Sequence, residues 1–206
     1  MELQVKDTIQ WLEKINEKIQ QNKDYLTDLD QAIGDSDHGI NMSRGFQEVV
    51  KQVNSKDYNT VSDVLKDTAM TLMSKVGGAS GPLFGTAFLR FSMGIKGMDA
   101  VNQEAFAKGL EDAVAGIMQR GKATIGEKTM VDVWSPVADY FKETAKVQAE
   151  DVVYTAKNAM EQTKEIMATK GRASYFKEKS IGHIDPGAAS SFYVFEALSE
   201  VIKEEE

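Results

Sequence analysis

Residues 5–19 read VKDTIQWLEKINEKI, and this segment indicates the fold of the chain. Its apolar residues recur every three or four positions, which is the period of a helix with one buried face. Six further stripes of the same kind follow, whereas strict alternation over the length of a strand is hard to find. The first stripe is Val5, Ile9, Leu12, Ile15 and Ile19; the others are Met42, Phe46, Val49, Val50 and Val53; Val61, Val64, Leu65, Ala69, Leu72 and Met73; Phe106, Leu110, Val114 and Ile117; Val131, Trp134, Val137, Phe141 and Ala145; Val153, Ala156, Met160, Ile166 and Met167; and Phe192, Phe195, Leu198 and Ile202.

The repeated pattern predicts an all-α protein, with about eight helices joined by short polar segments into a bundle. We interpret each stripe as core rather than as binding surface. A chain of 206 residues can bury one sizeable core, and neither a Gly/Ser linker nor an internal repeat divides it. The sequence therefore predicts a single domain over residues 1–206.

The composition excludes several classes of function. A formal net charge of −8 disfavours nucleic-acid binding, because phosphate backbones are bound by Lys and Arg. The absence of cysteine excludes disulfides and thiolate zinc sites, and it favours a reducing compartment. No apolar run of 18 residues occurs and the N-terminus is charged, so we expect no membrane span, no signal peptide and a cytoplasmic location.

Residues 30–37 read DQAIGDSD and bring three carboxylates close together. Like charges at this spacing repel each other, so a fold that keeps Asp30, Asp35 and Asp37 together usually has a compensating cation. Oxygen ligands of this kind suit Mg²⁺ or Ca²⁺, although the EF-hand spacing is not met. An Asp-rich turn that caps a helix starting near Ile40 accounts for the same residues, and spacing alone leaves both interpretations open.

Glycine is dense in residues 77–85, which read GGASGPLFG. Glycines let a backbone approach a ligand, and a helix N-terminus beside them can bind an anion; a plain interhelical turn is the commoner case. Known nucleotide fingerprints fail elsewhere in the chain. Residues 116–123 come within one residue of a P-loop, but Ala123 replaces the required Ser or Thr and no strand precedes the segment.

Two later segments are also unusual. Residues 126–132 read GEKTMVD, in which Lys128 and Thr129 can contact an anion, although a solvated lysine is the commoner arrangement. Residues 182–188 read GHIDPGA, where Asp185 can cap a helix beginning near Pro186. Arg172 precedes this segment, and an arginine in a loop can hold a phosphate with two hydrogen bonds, although a surface arginine is the commoner case.

In this order, the segments resemble the ADP-binding L subunit of bacterial dihydroxyacetone kinase. The resemblance covers nearly the whole chain, and four ordered motifs are highly specific although each alone is weak. Three positions depart from the family's pattern: Ser36 stands where glycine is frequent, Glu127 where aspartate is frequent, and Ala189 where threonine is common. Ser36 is the notable one, because it lies between two carboxylates and can stiffen their turn.

The resemblance implies an antiparallel barrel of eight helices with a nucleotide pocket at one end. It implies that Asp30, Asp35 and Asp37 hold two Mg²⁺ ions on the phosphates of ADP or ATP, and that Arg172 is catalytic near the terminal phosphates. The other implied nucleotide contacts are the segment His38, Gly39, Ile40 and Asn41; Ala79 and Ser80 on the phosphate side; Gly121 and Met130 on the adenosine side; and Asp185, Pro186 and Gly187 in the loop that closes the pocket.

The implied reaction is phosphoryl transfer with a bound nucleotide as the relay. A phosphohistidine-carrying subunit of the phosphotransferase system phosphorylates ADP, and the γ-phosphate passes to dihydroxyacetone held on a separate kinase subunit. The chain is then a phosphotransferase that is active only with its partners, and we expect neither His38 nor His183 to be phosphorylated.

Alternatives remain open. Another kinase of the same superfamily can use this domain, such as a fatty acid kinase or a fused triose kinase, but those domains come fused to others and this chain stops at 206 residues. A nucleotide-binding regulator of a transcription factor is an alternative of a different class. Association with a transcriptional regulator and formation of a homodimer are left open by the sequence.

Overall fold

The computed structural model describes residues 1–98 and 100–204, and its regular structure is almost entirely helical. Over these residues nine α-helices are accompanied by one antiparallel pair of two-residue strands, β1 (Glu2–Leu3) and β2 (Val101–Asn102). The helices are α1 (Val5–Gln21), α2 (Lys23–Ile33), α3 (His38–Val53), α4 (Val61–Lys75), α5 (Ser80–Gly94), α6 (Gln103–Gly121), α7 (Val131–Glu143), α8 (Ala149–Gln162) and α9 (Pro186–Glu204). The all-α prediction is confirmed.

Eight of these helices form a closed ring. Each helix from α3 to α9 packs against the next, and α1 closes the ring by packing against both α3 and α9. Ion pairs show that α1 and α9 run in opposite directions, since Lys14 lies 2.9 Å from Glu204 and Lys18 lies 3.0 Å from Glu196. The remaining helix, α2, packs on α3 and α9 at one end of the ring.

Aromatic rings fill the centre of the barrel. Trp11 of α1 lies 5.9 Å from Phe88 of α5, and Trp134 of α7 lies 4.9 Å from Phe195 of α9, measured between ring centroids. Both buried indole N–H groups donate hydrogen bonds within the core, Trp11 to the carbonyl of Val194 at 2.8 Å and Trp134 to the hydroxyl of Ser191 at 3.0 Å. The core therefore joins helices that are distant in sequence, and stripe positions from opposite walls meet in it.

Two of the predicted stripes run past the ends of their helices. Ala145 lies beyond α7, because Thr144 adopts an extended backbone and its hydroxyl bonds the carbonyl of Lys146. Ile166 and Met167 lie beyond α8, in a segment where Ile166 is extended and Met167 is exposed. Their spacing fits the helical period by coincidence, so extending the stripes to these positions is wrong.

The alternation of helix directions places four helix N-termini at one end of the barrel. His38, Ser80, Met130 and Pro186, at the starts of α3, α5, α7 and α9, line one cleft there. Residues 163–185, which we call the Arg172 loop, connect α8 to α9 at the same end and contain two short 3₁₀ segments, Thr163–Glu165 and Arg172–Ser180. In the described part of the chain, none of the helices combines the length and the apolar character that crossing a membrane would require.

Candidate functional site

The cleft at this end of the barrel is an open cavity of about 790 Å³. Its walls come from segments that are far apart in sequence, which the barrel brings together. The lining includes most of the predicted site residues, namely Asp30, Asp35, Asp37, His38, Ala79, Ser80, Met130, Arg172, Asp185, Pro186 and Gly187.

Three carboxylates form the acidic side of the cleft. One oxygen each of Asp30, Asp35 and Asp37 can be chosen so that all three lie within 4.8 Å of one another. The Asp30 carboxylate is buried, and its Oδ2 accepts hydrogen bonds from the backbone N–H groups of Asp37 at 2.9 Å and His38 at 3.1 Å. Asp30 thus satisfies amides at the start of α3, so the cluster has a capping role as well as the ligand chemistry of a hard cation site.

The turn between α2 and α3 is shaped by two small residues. A Cβ on Gly34 would lie 1.9 Å from Oδ1 of Asp30, so only glycine fits there without moving that carboxylate. Ser36 has a φ of 64°, in the left-handed region that glycine adopts freely and other residues adopt with strain. Ser36 is the position at which the sequence departs from glycine, so the carboxylate turn stores backbone strain in this chain.

His38 connects two walls of the cleft. Its Nδ1 lies 3.0 Å from the hydroxyl of Ser80 at the start of α5, and its Nε2 lies 2.7 Å from the hydroxyl of Ser190 in α9. Burial lowers the pKa of His38 to about 4, against the opposing effect of the Asp30 and Asp37 carboxylates. The imidazole is therefore neutral at neutral pH and donates one hydrogen bond while accepting the other, which fixes the Ser80 side chain.

The glycine-rich loop forms another part of the cleft wall. Gly77, Gly78, Ala79 and Ser80 line the cleft, and Gly78 has a φ of 66° that a side chain would strain. Helix α5 begins at Ser80, so the loop presents the amides of a helix N-terminus to the cleft. Backbone N–H groups in this arrangement bind phosphate oxygens well.

An apolar cleft of about 630 Å³ adjoins this wall and shares Ala79, Leu83, Thr129 and Met130 with the main cleft. Gly121, one of the two residues expected on the adenosine side, lines it together with Ile117 and Ala123. The main cleft, with its carboxylates and helix N-termini, and its more apolar neighbour together have the character of a phosphate site beside a site for a flat, apolar group.

Arg172 stands at the mouth of the main cleft. Its Nη2 lies 2.8 Å from an oxygen of Asp35, while 65% of its side chain remains exposed. The adjacent Ala173 is buried against Ile33 of α2, which attaches the loop beside the carboxylate cluster. Arg172 is thus the cation nearest the acidic cluster in the described structure that can turn towards a ligand in the cleft.

Asp185 lies at the base of the cleft and caps α9 by accepting a hydrogen bond from the N–H of Ala188 at 2.7 Å. Burial raises the pKa of the Asp185 carboxyl to about 7, because the hydrogen bond from Ala188 only partly opposes it and Asp132 and Asp30 add repulsion. The predicted capping of a helix that begins near Pro186 agrees with the structure.

Three predicted contacts turn away from the cleft. Gly39 packs against α2, where a Cβ would meet the carbonyl of Lys23 at 2.1 Å. Ile40 is 49% exposed, and Asn41 accepts a hydrogen bond from Arg44 beside Gly77. The cause is geometric, since a helix turns by about 100° per residue and only His38 of this segment faces the cleft.

Sequence reasoning missed two residues and misjudged a third. Ser190 is fully buried against His38, and Lys170 lines the cleft beside Gly171. Two consecutive serines in the otherwise apolar start of α9 are the signal that could have identified Ser190. Lys128 is not solvated as the commoner arrangement suggests, because it is only 1% exposed.

Comparison with known proteins gives a consistent result. The profile of the DAK2 domain matches residues 32–200. The PTS-dependent dihydroxyacetone kinase, ADP-binding subunit DhaL, of Lactococcus lactis is 50% identical over 97% of this chain and 99% of the relative. The PEP-dependent dihydroxyacetone kinase, ADP-binding subunit DhaL, of Escherichia coli is 40% identical over 99% of this chain and all of the relative.

Solved structures match the fold. The dihydroxyacetone kinase of C. freundii in its native form superposes with a TM-score of 0.76 at 21% identity, covering 94% of this chain and 34% of that one. The same kinase in complex with AMP-PNP and Mg²⁺ gives a TM-score of 0.75 at 23% identity, covering 33% of that chain. The chain therefore has the fold of about one third of that larger protein.

Proposed function

The chain belongs to the DAK2 domain family and, within it, to the dihydroxyacetone kinase subunits, and on that premise we propose that it is the nucleotide-binding phosphotransfer subunit of a phosphotransferase-system-dependent dihydroxyacetone kinase. In this proposal ADP bound in the cleft receives a phosphoryl group from a phosphohistidine subunit. The γ-phosphate of the resulting ATP passes to dihydroxyacetone on a substrate-binding subunit. We place this reaction in the cytoplasm.

The observation that carries the proposal is the pairing of opposite ligand chemistries across one cleft. Three carboxylates in its lining suit a hard cation, and the amides of a helix N-terminus in the same lining suit a phosphate. An acidic protein needs both, because its net charge of −8 repels a free nucleotide. Phosphoryl transfer requires positioning and charge neutralisation rather than a protein nucleophile.

The donor set fits Mg²⁺, since it consists of carboxylate oxygens that approach within 4.8 Å of one another. Asp30, Asp35 and Asp37 would hold the metal, and we propose two ions. When bound there, Mg²⁺ would neutralise negative charge of the nucleotide phosphates. The Asp30 carboxylate is held in place for this role, because it accepts hydrogen bonds from the backbone N–H groups of Asp37 and His38.

The chain's own groups then orient the nucleotide. Neutral His38 holds the Ser80 hydroxyl at the phosphate wall, and the Gly121 and Met130 cleft accepts the adenosine. Arg172 can exchange its partner Asp35 for a phosphate oxygen, which adds positive charge where negative charge develops. Gly39 packs against α2, and Ile40 and Asn41 are not among the described residues that line the cleft, so in this proposal none of the three contacts the nucleotide directly.

The Arg172 loop has the charge expected of a docking surface for a phosphorylated partner. Residues 163–185 carry five Lys or Arg and three Asp or Glu side chains, in a chain whose net charge is −8. Lys164, Lys177 and Lys179 are exposed there, as is 84% of Tyr175. A donor subunit loses its phosphate on transfer, so electrostatic attraction would favour the phosphorylated form over the spent one.

Reconstitution tests the proposal. The purified chain is combined with a cognate dihydroxyacetone-binding subunit and a phosphohistidine donor, and dihydroxyacetone phosphate is measured. We expect product only when all three are present, and no product with any cognate set would contradict the proposal. Association with a transcriptional regulator or a second copy of the chain stays a prediction.

A supporting measurement needs no partner. Ligand released from protein purified without added nucleotide is identified by its ultraviolet spectrum and mass. Recovery of an adenine nucleotide would support the site. In the alternative function, a fatty acid kinase-like assembly, the phosphoryl group would pass to the cargo of a fatty-acid-binding partner instead of to dihydroxyacetone.

A further inference from the structure

Lys128 is a buried cation that the proposed reaction does not use. It lies in the turn between α6 and α7, has 1% of its surface exposed, and has a φ of 62° in the left-handed region. A non-glycine residue in that region is strained, and a buried ammonium loses its hydration. Both features are unfavourable, so the surrounding structure must compensate for them.

The compensation comes from three backbone carbonyls. The Lys128 ammonium donates hydrogen bonds to the carbonyl oxygens of Thr163 at 2.6 Å and Ile166 at 3.2 Å, and also to that of His183. An ammonium has three N–H donors, so all of them are used. Although Lys128 lies in the wall of the cleft, none of its donors is left for a phosphate unless one of these bonds breaks.

The three carbonyls belong to the two ends of the Arg172 loop. Thr163 and Ile166 are at its start and His183 is near its finish, so one side chain joins both ends to the beginning of α7. The ends are also bonded to each other, because the N–H of Gly182 donates to the carbonyl of Lys164 at 2.8 Å and that of Asp185 donates to the hydroxyl of Thr163 at 3.1 Å. Lys128 therefore sits at the base of the loop that carries Arg172.

We propose that Lys128 is a positioning residue, whose ammonium clamps the base of the Arg172 loop and thereby sets the place of Arg172 beside the carboxylate cluster. Neighbouring contacts reinforce the same attachment. The N–H of Thr169 donates to the carbonyl of Glu127 at 3.4 Å, and its hydroxyl donates to the Glu127 carboxylate at 3.0 Å. Residues 127 and 128 thus hold the loop from one short turn.

The first test needs no enzymatic activity, so its result is independent of the proposed function. In nucleotide-free protein, Lys128→Met should increase amide hydrogen exchange at Ala168, Gly182 and Asp185 on the order of tenfold or more, while amides of α3 to α6 keep their rates. Lys164→Met is the matched control, since Lys164 is an exposed lysine of the same loop whose carbonyl accepts a hydrogen bond from Gly182, a backbone contact that the substitution keeps. Unchanged exchange in Lys128→Met would overturn the proposal.

The second test, which rests on the proposed function, distinguishes a clamp from a direct phosphate contact. If Lys128 acts through Arg172, Lys128→Met should lower kcat strongly in the wild-type background and very little in an Arg172→Ala background. Equal fold losses in both backgrounds would overturn the clamp and indicate an independent contact. Absence of kinase activity in the unmutated assembly would count against the proposed function alone, because the exchange experiment still decides the clamp.

Chemical rescue tests whether the loop is held by the positive charge of Lys128 or only by the packing of its side chain. The chain contains no cysteine, so Lys128→Cys introduces a unique thiol that can be alkylated in denaturant before refolding. Alkylation with 2-bromoethylamine restores an ammonium, whereas alkylation with 1-bromopropane gives a neutral side chain of similar length. We expect only the ammonium form to recover slow exchange in the loop. Equal recovery by both forms, or global unfolding of every neutral form, would overturn the proposal.

Discussion

Nη2 of Arg172 lies 2.8 Å from the carboxylate of Asp35, which joins the loop before α9 to the turn before α3. The pair is largely exposed, so its own contribution to stability is small. Its importance is positional, because it keeps an exposed cation at the edge of the acidic cluster. A ligand phosphate arriving there would compete with Asp35 for the same guanidinium.

Arg172→Ala should slow phosphoryl transfer more than it weakens ADP binding. The guanidinium can strengthen its interaction as charge develops in transfer, so we expect kcat to fall by roughly 10- to 100-fold and ADP affinity by less than about fivefold. Steady-state kinetics and calorimetric titration measure the two quantities. Lys66→Ala, at an exposed lysine of α4 outside the loop, is the control, and equal losses in rate and affinity would contradict the assignment.

Asp35→Asn and Asp37→Asn should each abolish Mg²⁺-dependent retention of ADP. Each change removes one negative charge from a cluster whose oxygens lie within 4.8 Å. The measurement is the ADP content of the protein after gel filtration, with and without chelator. Asp28→Asn, at an exposed position of α2, should keep the wild-type content; retention by the cluster variants would rule out the metal role.

Ser36→Gly should stabilise the protein, because Ser36 has a φ of 64°. Relief of left-handed strain is worth about 1–2 kcal/mol, and the greater flexibility of glycine in the unfolded chain offsets roughly half of this. We expect the melting temperature to rise by a few degrees, on the order of 1–4 °C. Gly34→Ala is the opposite control, since its Cβ would meet Asp30 at 1.9 Å, and a lower melting temperature for Ser36→Gly would refute the strain.

Asp185→Asn should change the pH dependence of stability in metal- and nucleotide-free protein. Burial raises the pKa of Asp185 to about 7 in the folded state, whereas the unfolded value is about 4. The folded state therefore binds the extra proton between these values, and stability falls as pH rises through that window. Relative to wild type, the Asp185→Asn variant is expected to gain about 1–2 kcal/mol at pH 8 and much less at pH 5, after allowance for partial exposure.

Denaturant titrations at the two pH values check this. Asparagine retains the oxygen that caps α9, so loss of the cap is controlled for within the same variant. A stability difference that is equal at pH 5 and pH 8 would show that the Asp185 carboxyl is not held protonated.

Lys177→Glu combined with Lys179→Glu should weaken docking of the phosphohistidine donor. Both lysines are exposed on the Arg172 loop, so the change reverses local charge without altering the cleft lining. We expect the KM for the donor to rise several-fold at low salt and the difference to shrink as salt is added. Lys66→Glu with Lys157→Glu changes the net charge equally at exposed sites elsewhere, and an identical effect would show that location is irrelevant.

The helices were predictable wherever a buried face is broad. Helix α2 carries no clear apolar stripe, because the residues it buries are only Leu26, Asp30 and Ile33 and one of them is a carboxylate. The Arg172 loop was equally unpredictable, since its path depends on contacts made across the fold. No local sequence pattern predicts that the carbonyls of Thr163, Ile166 and His183, which span 20 positions of the chain, accept hydrogen bonds from the ammonium of Lys128.

The residue types in the sequence predicted which segments line the cleft better than they predicted which side chains point into it. The carboxylate, glycine-rich and Asp-Pro segments do line one cleft, as their joint appearance in order suggests. The segment after His38 shows the limit, because successive helical residues point in different directions and sequence alone gives no reference for the cleft. Ser190 could not be predicted as a site residue for a related reason, since its hydrogen-bond partner His38 is 152 positions away in the sequence.

Because α9 closes the ring against α1, the segments that line the cleft become available in a definite order during translation. The carboxylate turn and the glycine-rich loop leave the ribosome early, but Asp185 and Ser190 belong to the segment made last among these helices. Until α9 emerges, α1 and α8 lack the neighbour that buries their apolar faces. A nascent chain that lacks α9 therefore holds the carboxylate turn and the glycine-rich loop without Asp185 and Ser190, so the lining of the cleft is completed only after α9 has been synthesised.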